Sequence, residues 1–152
     1  MNDYALKTLK TSVLLFNEWR LHQHLDFLDI AAADLSDMDL SGIDFRNVVL
    51  KGANLKGSDL TDAHLTRSDL TGACLQGAIL KDSHASAADF TQADLSGANL
   101  QNAHLCDSIF RGANMERANL KGAHIIGASF QGANLENVNL EEAFDRPCAS
   151  AE

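Results

Sequence analysis

Residues 88–100 read ADFTQADLSGANL. Three copies of one pattern follow each other five residues apart: Ala88-Asp89-Phe90, Ala93-Asp94-Leu95 and Ala98-Asn99-Leu100. Extended in both directions, the same phase places a centre at every fifth residue from Leu35 to Leu140, 22 positions in all, and Ala85 alone among them is not a large apolar residue. A small residue usually stands two places earlier, as Ala33, Ala53, Ala63, Ala73, Ala93, Ala103 and Ala113 do, with Ser58, Ser68, Ser83 and Ser108 as variants. Upstream, Leu28-Asp29-Ile30 keeps the register as an imperfect copy.

A period of five matches neither the 3.6 of a helix nor the 2.0 of a strand, so neither element could bury these centres on one continuous face. A chain that turns a corner every five residues can, provided its coils stack, since one coil alone buries too little. Glycine agrees. All ten glycines, Gly42 and Gly127 among them, fall at the second position after a centre, the mark of a recurring corner. The one proline, Pro147, lies beyond the last repeat, where it removes no hydrogen-bond donor from between coils.

The segments SGANL (96–100), KGANL (51–55) and QGANL (131–135) resemble the pentapeptide-repeat family, and the resemblance runs over residues 33–142 without a break in register. It implies an all-β solenoid, a right-handed quadrilateral β-helix with 20 residues per coil. That predicts about 5.5 coils and, at ~4.8 Å between stacked strands, a rod roughly 26 Å long. Three regions follow: an N-terminal α-helical cap at 1–27, the β-helix at 28–142 (28–32 imperfect, 33–142 in 22 tandem repeats), and a short tail at 143–152.

With 20 residues per coil, the core columns can be written down. One stacks Leu50, Leu70, Phe90, Phe110 and Phe130, a phenylalanine ladder at its C-terminal end; its neighbour stacks Phe45, Leu65, Ala85, Leu105 and Ile125. Phe90 is expected to fill the volume that Ala85 gives up, as near-constant packing requires. Residues 3–22 read as one helix with an apolar stripe of Leu6, Leu9, Val13 and Phe16. FNEWR (16–20) is similar to the segment that precedes the repeats in many family members, and Trp19 is expected to pack on the open first coil. The tail is too short for a comparable cap, so a second copy is expected to cover Phe130, Leu135 and Leu140, giving a homodimer.

Charge and composition narrow the function classes. The chain of 152 residues carries 21 acidic and 12 basic residues, a net of −9, with no clustered Lys or Arg to hold a phosphate backbone, so a nucleic-acid partner is not expected. No apolar run approaches the ~20 residues of a membrane span, and a cytoplasmic protein is expected. Three cysteines, an odd count, do not form a disulfide framework and agree with a reducing compartment. Cys74 and Cys106 are expected to point outward from opposite faces as surface thiols.

No phosphate loop, nucleophile elbow or paired-cysteine metal motif occurs, and no Ser or Cys nucleophile accompanies Asp44 and His64, so catalytic residues and cofactors are expected to be absent. The one periodic set of chemically versatile side chains is His64, His84, His104 and His124, each 20 residues from the next. On the stacking model they form one outward column with Asp44 at one end and Phe144 at the other. Imidazole suits Zn²⁺, Ni²⁺ or Cu²⁺, but a straight column offers two ligands at a time, so a stacked, mostly neutral polar ladder is the expectation rather than a metal site. His84, His104 and His124 with Ala87, Cys106 and Ile126 make a weakly charged candidate interaction face. The leading functional expectation is a rigid, non-enzymatic protein-interaction module with an unidentified protein partner. The alternative, which the resemblance supplies, is an acidic DNA mimic that binds or protects DNA gyrase. Residues 33–142 hold 15 acidic and 8 basic residues, a net of −7, where a ~26 Å length of duplex carries about 15 charges, so the mimic ranks second.

Overall fold

The computed structural model describes residues 3–23 and 27–143. The expectations for Phe144, Pro147 and the tail from 144 onward lie outside them. From Leu28 onward the chain is a parallel β-solenoid. Strand β1 (Leu28–Asp29) pairs in parallel with β2 (Val48–Val49), Leu28 opposite Val48. Thereafter single-residue parallel bridges join each outward residue to the one 20 positions on, from Asp34–Asn54 to Asn119–Asn139. Beyond β1 and β2, each side of the coil forms one bridge before the next corner.

The corners explain the sequence pattern. Leu40 O accepts from Ile43 N at 3.1 Å, and Gly42 between them has φ 65°. A four-residue turn with positive φ at its third residue is a type II turn, in which glycine is unstrained. Asp and Asn before a centre brace these turns. Asp59 Oδ1 accepts from Thr61 N at 2.9 Å and Asp89 Oδ1 from Thr91 N at 2.8 Å, steadying the corner that follows.

Every centre from Ile30 to Leu120, Ala85 included, is fully buried, each large one contributing on the order of 1.5–3 kcal/mol. Phe90, Phe110 and Phe130 stack as expected, with centroids 4.9 and 5.1 Å apart and planes within 3°. The core opens at the C-terminal end, where Ile125 and Phe130 are half-buried and Leu135 and Leu140 are 40 % and 48 % exposed. Ser58, Ser68 and Ser108 sit in the core by donating to Leu55, Leu65 and Leu105 carbonyls at 2.6–2.8 Å. Ser83 Oγ is equally buried and has no hydrogen-bond partner among the described residues.

The N-terminal cap is two helices, α1 (Asp3–Thr11) and α2 (Val13–His22), not one. Ser12 interrupts: its backbone is extended and its hydroxyl accepts from Leu15 N, so it N-caps α2 instead of continuing α1. Of the expected stripe, Leu9 and Phe16 are buried, while Leu6, Val13 and Trp19 are partly buried against the core. Phe16 meets Phe45 edge-on at 5.7 Å, which seats α2 on the first coil.

Candidate functional site

The four histidines of the 20-residue spacing stand on one side of the rod, positioned by the bridges His64–His84, His84–His104 and His104–His124. Their rings stack, with centroids 5.2, 4.9 and 4.8 Å apart and interplanar angles of 9°, 28° and 11°. Near-parallel rings at that separation face one another with their flat sides rather than converging their nitrogens on one point. A metal ion needs donor nitrogens about 2 Å from itself. Among the described residues no group of three or more His, Cys, Asp or Glu side chains is placed to hold a metal ion.

The column is closed at its N-terminal end by an ion pair. Asp44, bridged to His64, accepts from Arg46 Nε at 2.8 Å and from Nη2 at 2.7 Å. Burial works against the Asp44 charge, but the hydrogen bonds from Arg46 and the positive charges of Arg46 and Arg20 outweigh it and hold the carboxyl below its ordinary value. Burial also pushes His64 down, helped by His84 and Arg46 and opposed by Asp44 and Asp62. His104 is lowered by burial and then by His84 and His124 on either side, against Asp82. Both pressures favour neutral imidazole, and the charge repulsion alone is about 1 kcal/mol per adjacent pair in water.

Helix α2 completes this end, in a way the periodicity does not announce. Asp44 N–H, on the first coil, donates to Asn17 Oδ1 at 2.8 Å, while Asn17 Nδ2 donates to Gly42 O at 2.9 Å. Arg20 Nη2 donates to Arg46 O at 2.7 Å. These side chains satisfy backbone groups along the edge of the first coil. With Leu21, Gly42, Asp44, Arg46 and His64, Asn17 lines a shallow cleft of about 230 Å³.

Of the candidate interaction face, the structure brings His84, His104, His124, Ala87 and Ile126 onto one side and its following corner: Ala87 is exposed, the histidines and Ile126 half-buried. Cys106 is a correction. It is only 4 % exposed and held in a disulfide, so it is neither an outward thiol nor part of an accessible face. Among the described residues Cys74 is the free cysteine. An odd cysteine count leaves room for a bridge, so it does not argue for a reducing compartment. Among the exposed apolar side chains that periodicity missed, Leu14, Leu15 and Leu21 project from α2 and Ile79 from the side of the rod. Among the described residues no helix is long and apolar enough to cross a membrane.

The sequence model described as pentapeptide repeats matches this chain in eight copies, over residues 29–67, 44–82, 88–125 and 110–142. The chain belongs to the pentapeptide-repeat family. The right-handed sense of the β-helix follows from that membership. Among solved structures the chain is similar to a pentapeptide-repeat protein, Rfr23, from the cyanobacterium Cyanothece 51142, at 26% identity over 83% of this chain and 94% of that one, with a TM-score of 0.49. It is similar to AT2G44920, a pentapeptide-repeat protein from the Arabidopsis thaliana thylakoid lumen, at 30% identity over 76% and 71%, TM-score 0.39. A third, alr5209 from Nostoc PCC 7120, is 35% identical over 53% and 62%, TM-score 0.45. No curated protein matches the chain.

Proposed function

We propose that this pentapeptide-repeat protein is a rigid, non-catalytic protein-binding module whose contact face is the side carrying His84, His104 and His124 with Ala87 and Ile126. The observation that carries the reading is the division of labour within each repeat. The repeat centres from Ile30 to Leu120 are closed to solvent, leaving variation to outward positions, where Lys56, Arg67, Gln76 and Glu116 follow no rule. A partner would therefore read a fixed lattice of side chains about 4.8 Å apart along the rod. The His side suits such contact because His84, His104, His124, Ala87 and Ile126 bring no carboxylate, ammonium or guanidinium group to it on an acidic molecule, so little fixed charge has to be desolvated on binding.

The test is affinity capture from the native host with the wild-type chain and with His104→Glu/Ile126→Glu, both checked for retained fold by circular dichroism. Loss of one specific protein from the variant alone supports this face; an unchanged set of captured proteins contradicts it. A supercoiling assay carries the gyrase alternative: inhibition or quinolone protection at micromolar protein would put DNA mimicry first. The charges disfavour that outcome, since Lys51, Lys56, Lys81, Arg111 and Lys121 interrupt any acidic stripe.

A further inference from the structure

Four imidazoles in face-to-face contact on one side of a β-solenoid are more than a packing solution, because each is within reach of its neighbour's charge. We infer that the histidine column is a proton-responsive element: neutral and stacked at neutral pH, and filled with protons one alternate ring at a time as the solution becomes mildly acidic. The inference stands apart from the identity of any partner.

The geometry carries it. Three consecutive ring pairs lie 4.8–5.2 Å apart between centroids, and the bridges beneath them fix that spacing, so a charged pair cannot relax by drifting apart along the rod. A proton on one ring therefore disfavours a proton on the next, and the four sites titrate as a coupled set. The first two protons go to non-adjacent rings; the later ones must create adjacent charges and require lower pH. The lowered affinities of His64 and His104, with neighbouring histidines among the causes, agree.

The charges around the column do not cancel this repulsion. Asp44 at its head is already committed to Arg46 through two hydrogen bonds, and Arg46 itself repels a charged His64. On the preceding corner stand Asp62 and Asp82 with Lys81 and Lys121; Lys81 lies 3.7 Å from Asp82, and Lys121 is 3.4 Å from Glu141. The following corner carries Arg67 and Asp107, one of each sign. From α2, Asn17 and Leu21 share the cleft with His64, and Arg20 reaches the Arg46 carbonyl. Among the described residues the surroundings are mixed in sign, so acidification turns an uncharged stripe into a cationic one on an acidic rod.

The test follows the imidazole nitrogens of the full chain by NMR between pH 8.5 and 4.5, for wild type and His84→Asn. Asparagine suits the site because Asn fills the same outward position elsewhere and hydrogen-bonds along its column, as Asn134 Nδ2 donates to Asn114 Oδ1 at 3.1 Å. In the wild type, His64 and His104 are expected to titrate below the ordinary histidine value and over a broader range than a one-proton curve. In His84→Asn their midpoints should rise by roughly half a pH unit, the size of one neighbour's repulsion in water, and their curves should sharpen. Single-proton curves near 6.5 that ignore the substitution would overturn the inference. If His84→Asn fails to fold, His124→Asn at the far end supplies the same reading, with the effect expected on His104 and its absence equally damaging.

Discussion

At the residue scale, the buried serines separate a tolerated polar group from a costly one. Ser68 Oγ donates to Leu65 O at 2.6 Å, whereas Ser83 Oγ is buried with no partner among the described residues. Ser68→Ala should therefore cost about 1 kcal/mol and Ser83→Ala should be neutral or stabilising; urea denaturation of both variants checks the contrast, and equal losses would contradict it. The titrating residues set two separate pH windows. His64 and His104 lie below 6.5 when folded, so the unfolded chain binds more protons and stability falls as pH drops below about 6.5 towards their folded values. Asp34, Asp39 and Asp44 lie below 3.8, so what they contribute is complete above that value and lost only as pH falls through their folded values. Thermal melts at pH 7.5, 5.5 and 4.5 should show the histidine loss before the carboxylates take part, and His84→Asn/His104→Asn should flatten it.

At the element scale, the repeats were legible because every position in them does one job: Leu fills, Ala or Ser fits the tight side, Asp or Asn braces the turn, and the corner residue takes positive φ, whether glycine as at Gly42 or another residue as at Asn47. The histidine column was legible for the same reason, since a spacing of 20 in sequence is adjacency in space once the coil length is known. The cap is different. Its stripe of Leu9 and Phe16 was readable, but the break at Ser12 was not, because the helical period passes through a position whose hydroxyl competes for the backbone. Asn17 was illegible as a functional residue because its partners, Gly42 and Asp44, are 25 and 27 residues away and outside any period. Asn17→Ala should leave the Asp44 N–H unpaired and destabilise the fold by roughly 1–3 kcal/mol. Hydrogen exchange at the Asp44 amide reports it: faster exchange in the variant is expected, and an unchanged rate would mean that Asn17 does not close this edge.

At the scale of the whole molecule, the two ends of the rod are unlike. Helix α2 covers the first coil, while Leu135 and Leu140 on the last are 40 % and 48 % exposed. The proposed homodimer seats a second copy on that end. Sedimentation velocity should then give a dimer for the wild type and a monomer for Leu135→Lys/Leu140→Lys; a wild-type monomer at tens of micromolar would contradict it. Cys106 shows where the periodic reading fails at this scale: its phase marks it as a corner residue facing outward, but it is buried and held in a disulfide, a pairing that a repeat of five does not encode. The central claim remains that residue i lies directly on residue i + 20 along the entire rod. NMR cross-relaxation between imidazole rings tests it most directly. Cross-peaks are predicted for His64–His84, His84–His104 and His104–His124, with none for His64–His104; absent neighbour peaks, or a His64–His104 peak of comparable strength, would contradict the 20-residue coil.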